Sequence, residues 1–243
     1  MNPIIVEKTK KALLCVKQNR LALVILLLTA VLLVQFVQLH MIKTSVEKDS
    51  VLKGRQIQRL DAGIDFQNKR SQFLMVARDS IIMKHNKGLT DGEAYSIAEY
   101  TLYICEKYKL DPVLLFAVGR QESKFDVNAV SSEGAKGMYQ LFPLTARMLC
   151  DGMGMVYSEP ILFDLKSNSE LAGKYLSYLK AEYNDMDLVL IGYNAGPRWV
   201  ENYRHDKNKL PDETKDYILQ VRNYYLEFSK LLTGYLPGSI TQG

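Results

Sequence analysis

At 243 residues the chain has room for one main domain of roughly 150 residues plus accessory segments. About half of the residues are apolar and a quarter charged, which excludes a disordered or collagen-like chain. The formal charge of +4 does not point to nucleic acid. Lys8, Lys10, Lys11, Lys17 and Arg20 face Glu7 alone in the first 20 residues, and from His40 onward 26 basic side chains meet 26 acidic ones.

The positive excess borders a membrane signal. Residues 21–39 (LALVILLLTAVLLVQFVQL) run without a charge. At 1.5 Å of rise per residue, they approach the ~20 residues that span a hydrocarbon core of ~30 Å. The run is longer than the apolar part of a cleaved signal peptide, and no small-residue cleavage site follows it. Five Lys or Arg lie in the fifteen residues before it and three, Lys43, Lys48 and Lys53, in the fifteen after it. The expected topology is a cytoplasmic tail (1–20), a single-pass signal anchor (21–39) and a body on the external side of the membrane.

Residues 40–88 are polar, with Ile57, Leu60 and Ile64 at helical spacing, and read as a partly helical stem ended by Asn86-Lys87-Gly88. From Thr90 the helix signals sharpen. Thr90 and Glu93 form a capping box ahead of Ala94, Ile97, Ala98, Leu102, Cys105 and Tyr108. Asp111-Pro112 predicts an N-cap and first helical position for a nearly all-apolar helix over residues 113–121, with Glu122 at its far end. Pro143 opens another helix. Ser167 and Glu170 suggest a second capping box, residues 186–194 a short helix stopped by Gly196-Pro197, and Asp212 the cap of a last helix ending near Gly234. No segment alternates with period two, so the domain over 89–234 is expected to be mainly α, with a tail over 235–243. Cys105 and Cys150 would share an oxidising compartment, but Cys105 lies on an apolar helix face, where a buried free thiol is the alternative to a bridge. His40, His85 and His205 share no ligand spacing, so neither a metal nor a cofactor is expected.

A carboxyl at the end of a buried helix holds its proton to higher pH, because the ion is costly away from water. That suits a general acid for a glycosidic bond. Taken alone, Glu122 reads more readily as a helix-end residue that faces water or pairs with Arg120 or Lys124.

The surrounding motifs decide between these. Glu122-Ser123-x-Phe125, then Ala129, Ser131, Gly134-Ala135-x-Gly137, Gln140, Pro143 and Thr145-Ala146 precede Tyr193-Asn194-Ala195-Gly196-Pro197 and Glu213-Thr214-x-x-Tyr217. In that order, across about residues 92–230, they resemble the soluble-lytic-transglycosylase (SLT) family, which has a lysozyme-like helical fold. The resemblance implies that Glu122 is catalytic acid and then base, and that Ser131 contacts the acetamido group of the muramyl sugar. It implies that Gln140 lines the cleft, that Tyr193 and Asn194 sit beside Glu122, and that Glu213 and Tyr217 close the cleft wall. The substrate implied is the glycan strand of peptidoglycan, cut at the MurNAc-β-1,4-GlcNAc bond to leave 1,6-anhydro-MurNAc.

This chain departs from the family at Met138-Tyr139, where Leu-Met is usual, and at Phe142, where methionine is frequent. It also departs at Asp126-Val127 for Asn-Pro and at Gly192 for Ala. Tyr139 and Phe142 are therefore expected to bear on glycan positioning. Two other readings stay open: a lysozyme-type hydrolase of the same bond, and a glycan-binding component of an envelope-spanning secretion or conjugation assembly.

Overall fold

The computed structural model describes residues 3–235; Met1 and Asn2 of the expected cytoplasmic tail, and the expected C-terminal tail beyond Tyr235, lie outside the described residues. Among the described residues every regular element is helical. In chain order these are α1 (Pro3–Val76), a π-helical turn (Ala77–Ile82), α2 (Met83–His85), α3 (Asp91–Tyr108), α4 (Pro112–Ser123) and α5 (Pro143–Met153). Then come α6 (Leu165–Tyr183), α7 (Met186–Asn194), α8 (Pro197–His205) and α9 (Asp212–Leu232), with short 3-10 turns at Glu159–Phe163 and Lys207–Lys209. Isolated bridges join Lys136 to Val130 and to Leu141.

The chain divides into two compact units, Met1–Ile64 and Asp65–Gly243. The first is α1 up to Ile64. Leu21, Leu26, Leu33 and Phe36, in its apolar run, are more than half exposed. Among the described residues, α1 is the helix long and apolar enough to cross a membrane. The stem expected over 40–88 to be partly helical is helical throughout as far as His85. It contains no proline, and Lys, Glu, Gln, Arg and Leu sustain the helix across Gly54 and Gly63.

The second unit starts earlier than the sequence suggested. Phe73, Leu74, Ala77, Ile81 and Ile82 are buried in its core, so the last part of the expected stem is a structural layer of the domain rather than a linker to residue 89. The π turn, which widens the helix by one residue per turn, packs Ala77, Ile81 and Ile82 against α3 and α9. Ion pairs of Arg70 with Glu106 and of Lys84 with Glu227 flank that contact.

At the centre lies α4. Asp111 caps it by accepting from the Val113 amide at 2.8 Å, and Pro112 takes the first helical position. Leu115, Phe116, Ala117 and Val118 are fully buried, the larger three contributing about 2 kcal/mol each through burial. α9 lies along α4 and adds Tyr217, Val221, Phe228 and Leu232 to the core. α3 packs on α6, and α7 on α6 and α8.

Two local expectations are corrected. α6 starts at Leu165, capped by Asp164 accepting from the Ser167 amide; Glu170 is buried and takes hydrogen bonds from Tyr108 and Lys107 instead of closing a capping box. Asp212 is the first residue of α9 and Pro211 its cap. Gly196-Pro197 ends α7 as expected, and Pro197 takes the first position of a further helix, α8, over 197–205. All three cysteines are free, with Cys105 and Cys150 buried.

Candidate active site

The C-terminal end of α4 sets the geometry. Lys124 and Phe125 both take left-handed backbone conformations (φ 55° and 66°), and their amides donate to the Arg120 and Gly119 carbonyls. This αL stop fixes Glu122 in the last turn, where the partial negative charge of the helix end disfavours a second negative charge. Glu122 is half-buried. Burial pushes its carboxyl up to about 8, while a hydrogen bond from Tyr217 pulls the other way. The Tyr217 hydroxyl, on α9, donates to Glu122 Oε1 at 2.6 Å, which leaves the proton to Oε2. Burial also raises Tyr217 and Tyr193 well above the ordinary tyrosine value, and the nearby Glu122 charge adds to both. Asp126, the nearest acid along the chain, is occupied in its own turn, its Oδ1 accepting from the Asn128 amide.

After Glu122 the chain runs through a loop whose turn at 136–140 is held from several sides. Ser123 Oγ donates to the Met138 carbonyl at 2.7 Å and Tyr193 Oη to the Tyr139 carbonyl at 2.9 Å. Asn168 on α6 accepts from the Tyr139 amide at 2.9 Å. Gly137 (φ 79°) has no room for a side chain: a Cβ would lie 1.9 Å from the Leu162 carbonyl oxygen. Gln140 is itself left-handed (φ 46°), and its Nε2 donates to the Gly137 and Ala129 carbonyls.

Gln140, Leu141, Phe142, Thr145, Tyr175, Tyr193, Asn194, Ala195 and Gly196 line a pocket of about 140 Å³. Amide and hydroxyl groups thus share one cavity with aromatic rings, a lining suited to a sugar. Glu122 does not line this pocket; Tyr193 links the two, since it lines the pocket and is electrostatically coupled to Glu122.

The structure therefore groups Gln140, Tyr193 and Asn194 around the pocket and joins Tyr217 directly to Glu122. Ser131 lines no part of the pocket, and its Oγ accepts from the Ala135 amide within the loop. Glu213 is exposed in the first turn of α9, one turn before Tyr217 on the same face. The expectation for Tyr139 changes. Its ring is buried and its hydroxyl pairs with buried Thr101 at 3.3 Å, so its side chain stays out of the cleft. Phe142 remains on the pocket wall, 45% exposed. Tyr175 and Asn168 were not singled out from sequence. A polar residue one turn before Leu171 and Ala172, on the apolar stripe of α6, was the available signal for Asn168.

Known proteins resemble this chain over the same region. Residues 99–215 match the Transglycosylase SLT domain family. A protein of Haemophilus influenzae assigned as a soluble lytic murein transglycosylase is 30% identical over 135 residues, covering 54% of this chain and 23% of that protein. An inactive Glu→Gln mutant of the lytic transglycosylase Slt from Pseudomonas aeruginosa superposes with a TM-score of 0.53 at 28% identity, over 57% of this chain and 25% of Slt. The 70-kDa soluble lytic transglycosylase bound to bulgecin A shares the fold alone, with a TM-score of 0.54 at 20% identity over 71% of this chain and 30% of its own. The chain spans between 23% and 30% of the length of these relatives.

The Glu122–Tyr217 pair generates two expectations. A carboxyl raised to about 8 from an ordinary 4.5 makes the folded state retain a proton that the unfolded state releases between those values, so it lowers stability as pH rises through that window. Glu122→Gln removes this effect while keeping the shape and the acceptor for Tyr217. Thermal melts should show the variant more stable than wild type at pH 8, by on the order of 2 kcal/mol once solvent access to the group is discounted, and equal to it near pH 4. A pH-independent difference would contradict a neutral Glu122. Second, Tyr217→Phe removes the bond that favours the ionised form. Carboxyl-carbon NMR should find Glu122 titrating higher than in wild type, by roughly one pH unit; a downward move would refute the assigned role of Tyr217.

Proposed function

We propose that this chain, whose residues 99–215 are a Transglycosylase SLT domain, is a membrane-anchored peptidoglycan lytic transglycosylase that leaves 1,6-anhydro-MurNAc ends. The observation that carries the reading is Glu122, held neutral near pH 7 by burial and by its place at a helix C-terminus, with Tyr217 donating to one oxygen. A neutral acid can protonate the bridging oxygen of a MurNAc-β-1,4-GlcNAc bond. As the bond breaks, the GlcNAc leaves with that proton and the 2-acetamido group of the muramyl sugar supports the positive charge. Glu122 is then ionised, the form that the Tyr217 hydrogen bond favours. It takes the proton from the 6-hydroxyl of the same sugar, whose oxygen closes the ring on the anomeric carbon and restores the acid. The internal hydroxyl gains effective molarity over water. The inactivity of the Pseudomonas aeruginosa Glu→Gln mutant supports an essential glutamate in a related protein.

Gln140, Tyr193 and Asn194, with Ser131 and Glu213 outside the pocket lining, are the proposed glycan contacts; the pocket with its mixed amide, hydroxyl and aromatic lining supports the first three. For the anchor, the support is α1 with its charge-free run over 21–39 and the basic excess before it. The domain then works on the external face, beside the wall polymer.

The product separates this reading from a hydrolase that uses the same acid. Muropeptides released from peptidoglycan by the full chain should be lighter by one water than hydrolytic products and should resist borohydride reduction. Reducible, full-mass ends would leave a lysozyme, and an uncut polymer would leave a binding module. The topology is tested by protease added to spheroplasts. We expect loss of the domain while the inner membrane stays sealed, and full protection of the domain would overturn the orientation.

A further inference from the structure

We propose that Asn168 is a positioning residue for the cleft, acting through the 136–140 turn on Gln140. The inference rests on the glycan-cleaving reading above but is drawn from a different set of contacts.

Asn168 sits on α6, 1% exposed, and spends both ends of its amide on one turn. Its Oδ1 accepts from the Tyr139 amide at 2.9 Å and its Nδ2 donates to the Lys136 carbonyl at 3.3 Å. Asn168 is the partner of the Tyr139 amide and a second donor to the Lys136 carbonyl, which also accepts from the Leu141 amide at 3.0 Å. The Gln140 amide closes back on the Gly137 carbonyl, the Met138 carbonyl belongs to Ser123, and the Tyr139 carbonyl belongs to Tyr193. Side chains from α4, α6 and α7 therefore meet on consecutive peptide units. Ser123 is the residue after Glu122, and Tyr193 lines the pocket. The turn is where the acid and the pocket wall are brought into register.

Within this arrangement Asn168 does what its neighbours cannot. A buried backbone amide needs an acceptor, and a side-chain amide supplies one while its other end reaches the second lone pair of a carbonyl three residues away in the same turn. Gly137 lets α6 approach this closely: a Cβ there would lie 2.5 Å from Asn168 Nδ2. With both peptide groups fixed, Gln140 is held in its left-handed conformation with its own amide against the Ala129 and Gly137 carbonyls, facing the pocket. Asn168 itself does not line the pocket.

The test is a double-mutant cycle in the full chain. Asn168→Asp keeps the acceptor and the volume but loses the donor; Asn168→Ser serves if the first variant shows no cooperative melt. We expect the Asn168 variant to lose about tenfold in kcat/KM on peptidoglycan strands in the wild-type background, well below its Tm, and less than twofold in a Gln140→Ala background. Equal losses in both backgrounds, a loss in neither, or failure of both variants to fold would overturn the proposal. A second readout does not depend on catalysis. In the wild type the Gln140 side-chain amide protons should exchange slowly, and in the folded Asn168 variant they should exchange freely; unchanged protection would also overturn it. A wild type that cleaves no glycan would count against the proposed function alone, and the exchange measurement would still decide the role of Asn168.

Discussion

The proposed reaction depends on keeping a proton on one carboxyl, and that requirement would constrain the fold around it. For that role Glu122 must lie where ionisation is costly, yet its free oxygen must reach a substrate. The fold meets both demands by ending α4 abruptly. Up to Gly119 the helix is buried on almost every side; two residues in αL conformation then stop it just past Glu122. The carboxyl shares the low polarity of the core and the negative end of the helix, yet it is only half-buried. Tyr217 is the counterweight, since it limits how far the ionised form is disfavoured. In the proposed reaction the same carboxyl serves as base in the second half, and such a base cannot be made wholly inaccessible.

That balance is held by tertiary contacts rather than by α4 alone. α9 lies against α4 along its length and supplies Tyr217, so the register between these two helices sets the 2.6 Å bond. The N-terminal layer supports the same pair from behind. Arg120, two residues before Glu122, stacks its guanidinium over the Tyr224 ring at 4.7 Å, and Tyr224 packs on Phe228. His85 contacts both rings. The segment that reads in sequence as the end of a stem thus bears on the helices that carry the acid and its hydrogen-bond donor.

The parts legible in sequence were those where a local rule is strong. Asp111-Pro112, Thr90 with Glu93, and the uninterrupted apolar run before Glu122 each specify their own helix end or burial, and the structure follows them. The motif order brought Gln140, Tyr193 and Asn194 together before any fold was known. What could not be read is set by tertiary partners. Ser167 and Glu170 have the spacing of a capping box, but Glu170 is worth more as a buried acceptor for Tyr108 and Lys107. Residues 65–85 look polar in the chain because only one face of that helix is buried. Asn168 shows locally only as a polar residue on the apolar stripe of α6, and nothing local names its partners, which are backbone groups some 30 residues away.

The family departures show the same division between core and cleft. A tyrosine at position 139 adds a hydroxyl and a bulky ring to the turn that positions the pocket, which suggests altered substrate contacts. The ring instead goes inward. Gly119 makes room for it, with a Cβ there only 3.2 Å from Tyr139 Cε1, and Thr101 on α3 gives its hydroxyl a buried partner. A hydroxyl buried without that partner would cost about 1–3 kcal/mol, so Thr101, Gly119 and Tyr139 form one matched set in the core. The backbone of residue 139 is left free to serve Asn168 and Tyr193. Position 142 has no such inward path: Phe142 precedes α5 as its N-cap residue and keeps nearly half its surface exposed on the pocket wall. The departure at 139 is thus absorbed by packing, whereas the one at 142 changes the surface that a glycan would meet.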